Sequence, residues 1–268
     1  MDKASIIGIV LAAVAVGVGM FLKGVSPIAL VNPAALLIIF GGTAAAVCIA
    51  FPMSTLKKVP VLFKIIFKSD SEKKIQEVIE MFTEWAELSR REGVLSLESR
   101  LDETDDTFLY SGMQLVVDGQ SPDFIRDVML EKIDAMEGRH QKGVAVFTQA
   151  GTYAPTLGVL GAVIGLIAAL GNLEDTEVLG HAISAAFVAT LLGIFSGYML
   201  WHPFANKLRQ KSKNEAQVKF VMVEGILSIA NGESPQIIKD KLGSYLSPSE
   251  LSKANQEEET DAKEEETA

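Results

Sequence analysis

The chain has 268 residues, of which 49% are hydrophobic, and its formal net charge is −10. This length suits either one large soluble domain or a membrane protein with a soluble part, and the single cysteine, Cys48, excludes an intrachain disulfide. The charge does not define a partner, because seven acidic residues and one lysine lie in the tail from Glu257 to Ala268. Since such a block buries too little apolar surface to fold, residues 247–268 are predicted to be a disordered tail.

Four long apolar segments decide between the two possibilities. They run from Ala4 to Leu22, from Pro33 to Phe51, from Val144 to Gly171 and from Ala182 to Trp201, and none contains Asp, Glu, Lys, Arg or His. An α-helix needs about 20 apolar residues to cross a bilayer. The chain is therefore predicted to be an all-α integral membrane protein with four transmembrane helices in contact with lipid.

Basic residues near the predicted spans indicate the orientation. They follow the second span, precede the third and follow the fourth: Lys57, Lys58, Lys64 and Lys68; Arg139 and Lys142; Lys207, Arg209, Lys211 and Lys213. The loop after the first span has only Lys23, and the ten residues after Gly171 have no Lys or Arg. Because Lys and Arg near spans stay in the cytoplasm, both termini and the long loop between spans two and three are predicted to be cytoplasmic.

The polar segments are predicted to form a helical cytoplasmic domain. Apolar residues at the spacing of one buried helix face occupy the start of the long loop: Ile75, Val78, Ile79, Phe82 and Trp85. Ser121 and Pro122 fit the cap and first turn of a further helix that leads to the third span. The predicted division is 1–53 for spans one and two, 54–143 for the cytoplasmic helical domain, 144–203 for spans three and four, 204–246 for a cytoplasmic helical segment and 247–268 for the tail.

The third span contains the most unusual sequence, APTLGVLGAVIGLI, in which Pro155 is followed by Gly158, Gly161 and Gly165. An internal proline frees a backbone carbonyl, which must find another partner in the membrane. The glycines allow two helix backbones to approach closely. Plain helix packing accounts for these residues, and a bend that faces a partner protein is the functional alternative.

The fourth span repeats this pattern of small residues with Ala186 and Gly193 on one side and Thr190 between them. A threonine in a membrane helix usually bonds to its own preceding turn, and the functional alternative is that its hydroxyl lines a wet path. Pro203 follows the span and fits either a simple stop or a bend that redirects the basic helix after it.

Asp, Glu, Lys, Arg and His are missing from all four predicted spans. Ion carriers place such a group at membrane depth because something must bind the charge during its passage. If this chain takes part in ion movement, we expect the carboxylate to come from another subunit that packs against the small residues of spans three and four. The sequence also has no catalytic constellation, phosphate-binding loop or metal-spaced cluster, so we expect no enzyme activity, metal or cofactor, and no nucleic-acid partner.

These features together resemble the MotA/PomA family of flagellar motor stator subunits. The resemblance covers most of the chain and rests on the two-loop-two arrangement of spans and on four motifs: APTLGVLGAVIGLI, AFVATLLGI, WHPFANKLRQKS and SRREGVLSLE. It does not cover the acidic tail.

The resemblance implies a place in the bacterial inner membrane and a MotB-type single-span partner whose aspartate binds the ion. It implies a ring of five copies around two partner chains, and ion flow that drives rotation against the rotor protein FliG. It also implies roles for residues of this chain. Pro155 and Pro203 match the prolines of the conformational change, Thr190 matches the pore-lining threonine, and Arg90 and Glu98 match the charged rotor contacts.

The transported ion is predicted from one position in the third span. Sodium-driven members of the family carry a second threonine where this chain has Ala162. A dehydrated sodium ion needs several oxygen ligands, whereas a proton needs only a carboxylate, so a proton is favoured over sodium. Outside this family, an ExbB/TolQ-type energiser is disfavoured by its three spans, and a self-contained transporter is disfavoured by the uncharged spans of this chain.

Overall fold

The computed structural model describes residues 2–68, 75–101, 104–171, 173–246, 248, 251 and 252. All regular elements in those residues are helical, which confirms the predicted fold class. The helices are α1 (Lys3–Leu22), α2 (Pro33–Ala50), α3 (Met53–Leu56), α4 (Val59–Phe67), α5 (Ile75–Glu92), α6 (Glu98–Leu101), α7 (Thr107–Val117), α8 (Pro122–Leu170), α9 (Thr176–Ala230) and α10 (Pro235–Gly243). The predicted acidic tail lies almost entirely outside the described residues.

Four helices, α1, α2, α8 and α9, are long and apolar enough to cross a membrane, in agreement with the four predicted spans. They differ in how much they pack within the chain. α1 buries no residue. α2 buries one stripe at i, i+4 spacing, formed by Ala35, Ile39, Thr43 and Val47. α2 therefore packs against other spans on one side, whereas α1 is at most half-buried on one side.

Contacts divide the chain into two compact units. The first contains the described residues up to Lys68 together with Gly138–Ser212, and the second contains those from Ile75 to Glu137 and from Lys213 onward. α3 and α4 belong to the first unit, unlike the predicted 54–143 domain. The reason is a cluster in which Ile66, with Leu62 and Phe63 beside it, packs on the aromatic and apolar side chains of α8 and α9.

The second unit has a hydrophobic core that includes the predicted face of α5. Phe82 is fully buried, and a methyl group at Gly225 of α9 would lie 2.5 Å from its ring, so glycine is needed for this contact. α5 ends at Glu92, before Gly93, whose φ of +86° favours glycine because it has no Cβ. The predicted start of α8 at Pro122 is confirmed.

The amino terminus is held within the first unit by Asp2. Its side chain caps α1 by accepting the Ala4 amide at 3.2 Å, and its own backbone amide donates to the Phe67 carbonyl at 2.9 Å. The carboxylate also pairs with the ammonium group of Lys207 in α9. Hydrogen bonds from Lys207 and Ser5 lower the pKa of Asp2 from 3.8 to about 2. The carboxylate thus stays charged at neutral pH, and the start of α1 lies beside residues that follow α2 and the fourth span.

Candidate functional site

The third and fourth spans, in α8 and α9, meet through glycine. A methyl group at Gly158 would lie 2.9 Å from the Ala189 carbonyl oxygen and 2.9 Å from the Gly193 Cα. A methyl group at Gly193 would lie 2.7 Å from the Gly158 Cα and 2.8 Å from the Ala154 carbonyl oxygen. Real Cβ atoms do not approach other atoms this closely, so glycine is required on both helices here.

The same face continues along both helices with small side chains. A methyl group at Gly161 would lie 3.2 Å from the Ala189 Cβ, and one at Gly165 would lie 3.2 Å from the Ala186 Cβ. The small residues predicted to pack against a partner helix are Gly158, Gly161, Gly165, Ala186 and Gly193. The structure brings them together between two spans of one chain, and their contact with a partner stays a prediction.

Pro155 lies where α8 meets an irregular part of α9. Because proline has no amide hydrogen, the Gly151 carbonyl lacks its usual helical donor. A methyl group at Gly197 would lie 2.8 Å from this carbonyl oxygen and 2.7 Å from the Pro155 Cγ. The His202 ring lies against Gly151, since a methyl group at Gly151 would lie 2.8 Å from it. A side chain at Gly197 would therefore separate the two helices at the level of the proline, and one at Gly151 would displace the His202 ring.

α9 contains a π-helical turn, Ser196–Trp201, directly before His202 and Pro203. A π-helical turn widens the backbone locally, and such turns are a recognised cause of helix bending. The side chain of Pro203 is exposed. Of the stop and the bend that the sequence allows at Pro203, the stop is wrong, because the helix continues past it to Ala230.

Thr190 and Ala162 are both half-buried and lie on α9 and α8. The Thr190 hydroxyl donates to the Ala186 carbonyl of its own helix at 3.3 Å, which is the ordinary arrangement for a membrane threonine. A hydroxyl group that donates one hydrogen bond can still accept another, so the Thr190 oxygen can accept a hydrogen bond from a water molecule or from a protonated group of a partner. Ala162 contributes only a methyl group.

Three further hydroxyl groups form a stripe on α8 that sequence reasoning missed. Thr148, Thr152 and Thr156 follow one another at i, i+4 spacing, and each donates to a carbonyl of its own helix. Thr152 and Thr156 are exposed, on the side of α8 that faces away from α9. The signal that could have found them is the repeated Thr at four-residue spacing around Pro155.

Thr43 of α2 is a buried hydroxyl at membrane depth. It is 3% exposed, and its oxygen has no hydrogen-bond partner among the described residues. The residues one turn away on either side, Ile39 and Val47, are apolar and buried. Leaving a buried hydroxyl unpaired costs free energy, about 1–3 kcal/mol for a polar group in a protein interior. No sequence pattern singles out this threonine among the small residues of α2.

Arg90 and Glu98, the predicted rotor contacts, lie in the second unit. Arg90 is in the last turn of α5, and Glu98 is the first residue of α6. Both side chains are exposed, and neither has an ion-pair or hydrogen-bond partner among the described residues. Both charges are therefore available to another molecule.

Comparison with known proteins gives the family. Residues 6–93 match the model for the motility protein A N-terminal region, and residues 100–219 match the model for the MotA/TolQ/ExbB proton channel family. The chain is 63% identical over 246 residues to motility protein A of Bacillus subtilis, which covers 92% of this chain and 91% of the relative. The chain belongs to the motility protein A family. The family extends to chemotaxis protein PomA of Vibrio alginolyticus, which is 31% identical over 92% of this chain and 96% of its own length.

Solved structures of motility protein A relatives have the same fold. The flagellar MotAB stator complex of Bacillus subtilis matches with a TM-score of 0.90 and 61% identity, over 94% of this chain and 99% of that chain. The MotAB structure of C. jejuni matches with a TM-score of 0.88 and 32% identity, over 92% and 97% of the two chains. These matches confirm the predicted membership in the MotA/PomA family of stator subunits.

Proposed function

We propose that this flagellar stator subunit, together with a MotB-type partner, couples proton flow across the membrane to torque on the rotor. One observation carries the proposal: the spans in α8 and α9 offer hydroxyl and carbonyl oxygens at membrane depth but no Asp, Glu, His, Lys or Arg. A proton path made by this chain alone would lack the group that binds the proton. A partner carboxylate placed against these spans supplies it.

The partner is a single-span subunit with an aspartate in its membrane helix, and we propose that five copies of this chain surround two copies of it. The neighbouring structures are of MotAB stator complexes, which supports such a partner. The geometry of α8 also supports it. The face of α8 with Thr152 and Thr156, which points away from α9, is exposed and can also contact other subunits.

Both termini are proposed to lie on the cytoplasmic side of the inner membrane. The bond from the Asp2 amide to the Phe67 carbonyl and the ion pair of Asp2 with Lys207 support this orientation. They place the amino terminus beside the two basic segments that follow the second and fourth spans. Basic residues near spans stay in the cytoplasm.

Exposed Arg90 and Glu98 are proposed to contact FliG. Exposed charges contribute more to orientation and association rate than to affinity. This property suits a contact that forms and breaks repeatedly as a rotor passes. A purely local role for Arg90 would be to complement the carboxyl end of α5, where a cation is favourable.

The transported ion is proposed to be a proton. Ala162 provides no oxygen ligand at the position where sodium-driven members of the family carry a second threonine, and a dehydrated sodium ion needs several oxygen ligands. One charge that crosses 100 mV releases about 2.3 kcal/mol. Each step can therefore drive only a modest rearrangement, which is compatible with sliding contacts between small residues around Pro155.

A reconstitution experiment tests the proposal. The chain is placed in vesicles alone, with its partner, and with a partner whose membrane aspartate is changed to asparagine, and proton uptake is followed with a pH-sensitive dye. We expect conduction only with the unchanged partner. Robust conduction by the chain alone would instead support a self-contained transporter. An ExbB/TolQ-type energiser is disfavoured because residues 6–93, which hold the first two spans, match the motility protein A model.

A further inference from the structure

The segment that follows the second span, comprising α3, α4 and Lys68, has two unlike sides. One side packs on the first unit: Ile66 is fully buried, and the Phe63 ring lies 5.0 Å from that of Phe147 in an edge-to-face contact. The other side is exposed although it is partly apolar. Val61 is 55% exposed and Ile65 is 38% exposed.

The exposed side is also basic. It carries Lys57, Lys58, Lys64 and Lys68, all exposed, and the sequence from Phe51 to Lys68 contains no acidic residue. None of these four ammonium groups has a hydrogen-bond or ion-pair partner among the described residues. At the helical spacing of α4, Val61, Ile65 and Lys68 fall on one face, and Lys64 lies beside Ile65. Lys57 and Lys58 lie in the turn that leads into α4. Charge and apolar surface are therefore presented together.

The segment is held firmly in place. The Phe67 carbonyl accepts the Asp2 amide, and the Lys68 carbonyl accepts the Lys211 ammonium at 2.9 Å, so the carboxyl end of α4 is bonded to the start of α1 and to α9. A methyl group at Gly143 would lie 2.9 Å from a Leu62 methyl, which shows how closely α4 approaches α8. The exposed face is thus preformed and does not depend on ordering a loop.

We infer that this face, the α4 basic face (Lys57, Lys58, Val61, Lys64, Ile65 and Lys68), binds anionic phospholipid headgroups. Helices with apolar residues and lysines side by side lie at the boundary between headgroups and acyl chains, where Val61 and Ile65 enter the acyl region. Clusters of four or more Lys and Arg next to a transmembrane helix favour anionic lipids over neutral ones. The orientation rule explains why lysines are on this side, but it does not require them to flank exposed apolar residues on a docked helix.

A lipid titration tests the inference. The full-length chain, purified with its partner subunit in mild detergent, is titrated with phosphatidylglycerol or phosphatidylcholine, and its unfolding temperature is recorded. A ligand that binds the folded state raises this temperature. We expect phosphatidylglycerol to raise it at lower mole fractions than phosphatidylcholine, and the difference to shrink at high salt because surface charges are screened.

Variants locate the effect. K64Q is expected to raise the phosphatidylglycerol fraction needed for half the effect by about fivefold, the factor that one lysine contributes near an anionic surface. The matched variant K23Q removes a juxtamembrane lysine outside the α4 basic face and should behave as the original protein. The variant with Gln at all four lysines should not distinguish the lipids, whereas Arg at all four should.

Three results would overturn the inference. One is equal stabilisation of the original protein by both lipids, and another is a preference that survives in the four-Gln variant. The third is equal stabilisation by soluble glycerol phosphate, which would indicate a free phosphate ligand and not a membrane surface. If the four-Gln variant does not fold, K64Q, K23Q and the four-Arg variant still decide the question.

Discussion

Gly158 and Gly193 show how single atoms set the distance between the third and fourth spans. Without Cβ atoms the two backbones approach until the Ala189 and Ala154 carbonyl oxygens contact the facing helix. Lipid gives no hydrophobic driving force for helix association, so this close packing is what holds the pair together. The distance between these two spans is therefore set by the smallest residues in the chain.

Replacing Gly193 by Ala should destabilise the folded chain. The added methyl group would meet backbone atoms at 2.7 and 2.8 Å, which cannot rotate away, and overpacking of this kind costs about 1–3 kcal/mol. The loss is measured as a lower unfolding temperature in detergent. The control is G180A on the same helix, where nothing lies within 4 Å of the added methyl group. Equal stability of the two variants would contradict the assigned contact.

Individual residue positions could be predicted only in part from the sequence. The spacing of Gly158, Gly161 and Gly165 predicts a close helix contact but does not tell whether the other helix belongs to the same chain. The choice depends on how α8 and α9 pack, which is a tertiary property. Likewise, nothing local distinguishes the buried Thr43 from the exposed Thr156, because both are hydroxyls in apolar helices.

Among the elements, α8 and α9 are more continuous than their apolar segments suggest. α9 begins at Thr176, ahead of the predicted span start at Ala182, because Asp175 caps it by accepting the amides of Glu177 and Val178 at 3.0 and 3.1 Å. The hydropathy pattern misses this start because the first turns are polar. The π-helical turn Ser196–Trp201 also could not be predicted, since no residue pattern in this segment marks it; in the structure it lies against Pro155 through Gly197.

Two glycines inserted after Lys142 should abolish motility without preventing membrane insertion. Lys142 lies inside α8, and two extra residues rotate the following face by about 200° relative to the preceding part of the helix. Glycine also makes that point flexible. Swimming and membrane fractionation are measured together. The same insertion after Gly119, in the turn between α7 and α8, is the control and should be tolerated better; retained motility in the α8 variant would count against a mechanical role for the continuous helix.

At the scale of the whole molecule, the chain is built to work with others. Its spans contain no Asp, Glu, Lys, Arg or His, and the Arg90 and Glu98 charges on α5 and α6 have no partner among the described residues. The four spans could be predicted from the length of the apolar segments, and the helical cytoplasmic part from the helical spacing of the apolar residues around Phe82. The grouping of α4 with the spans could not be predicted. Its lysines are typical of a cytoplasmic domain, and its packing on Phe147 depends on residues far away in the sequence.

Charge reversal tests the rotor contact. R90E and E98K should each reduce swimming speed, because each places a like charge opposite its partner on the rotor, and a compensating reversal on FliG should restore at least one of them. Since both side chains are exposed, neither change should destabilise the fold by more than the helix-end effect of about 0.3–1 kcal/mol. The control is E92K, which lies at the exposed end of α5 and changes the charge as much as E98K does. It should leave the swimming speed unchanged. Normal motility in both R90E and E98K cells would remove these residues from the contact.

The most direct measurement is rotation of tethered cells that lack this gene and then express it from an inducible promoter. The cells should be flagellated but still, and rotation should resume in steps as stator units are added. It should resume in sodium-free medium and stop when the proton gradient is collapsed. Normal rotation before induction would contradict the stator function. Rotation that requires sodium while the proton gradient persists would contradict the choice of ion.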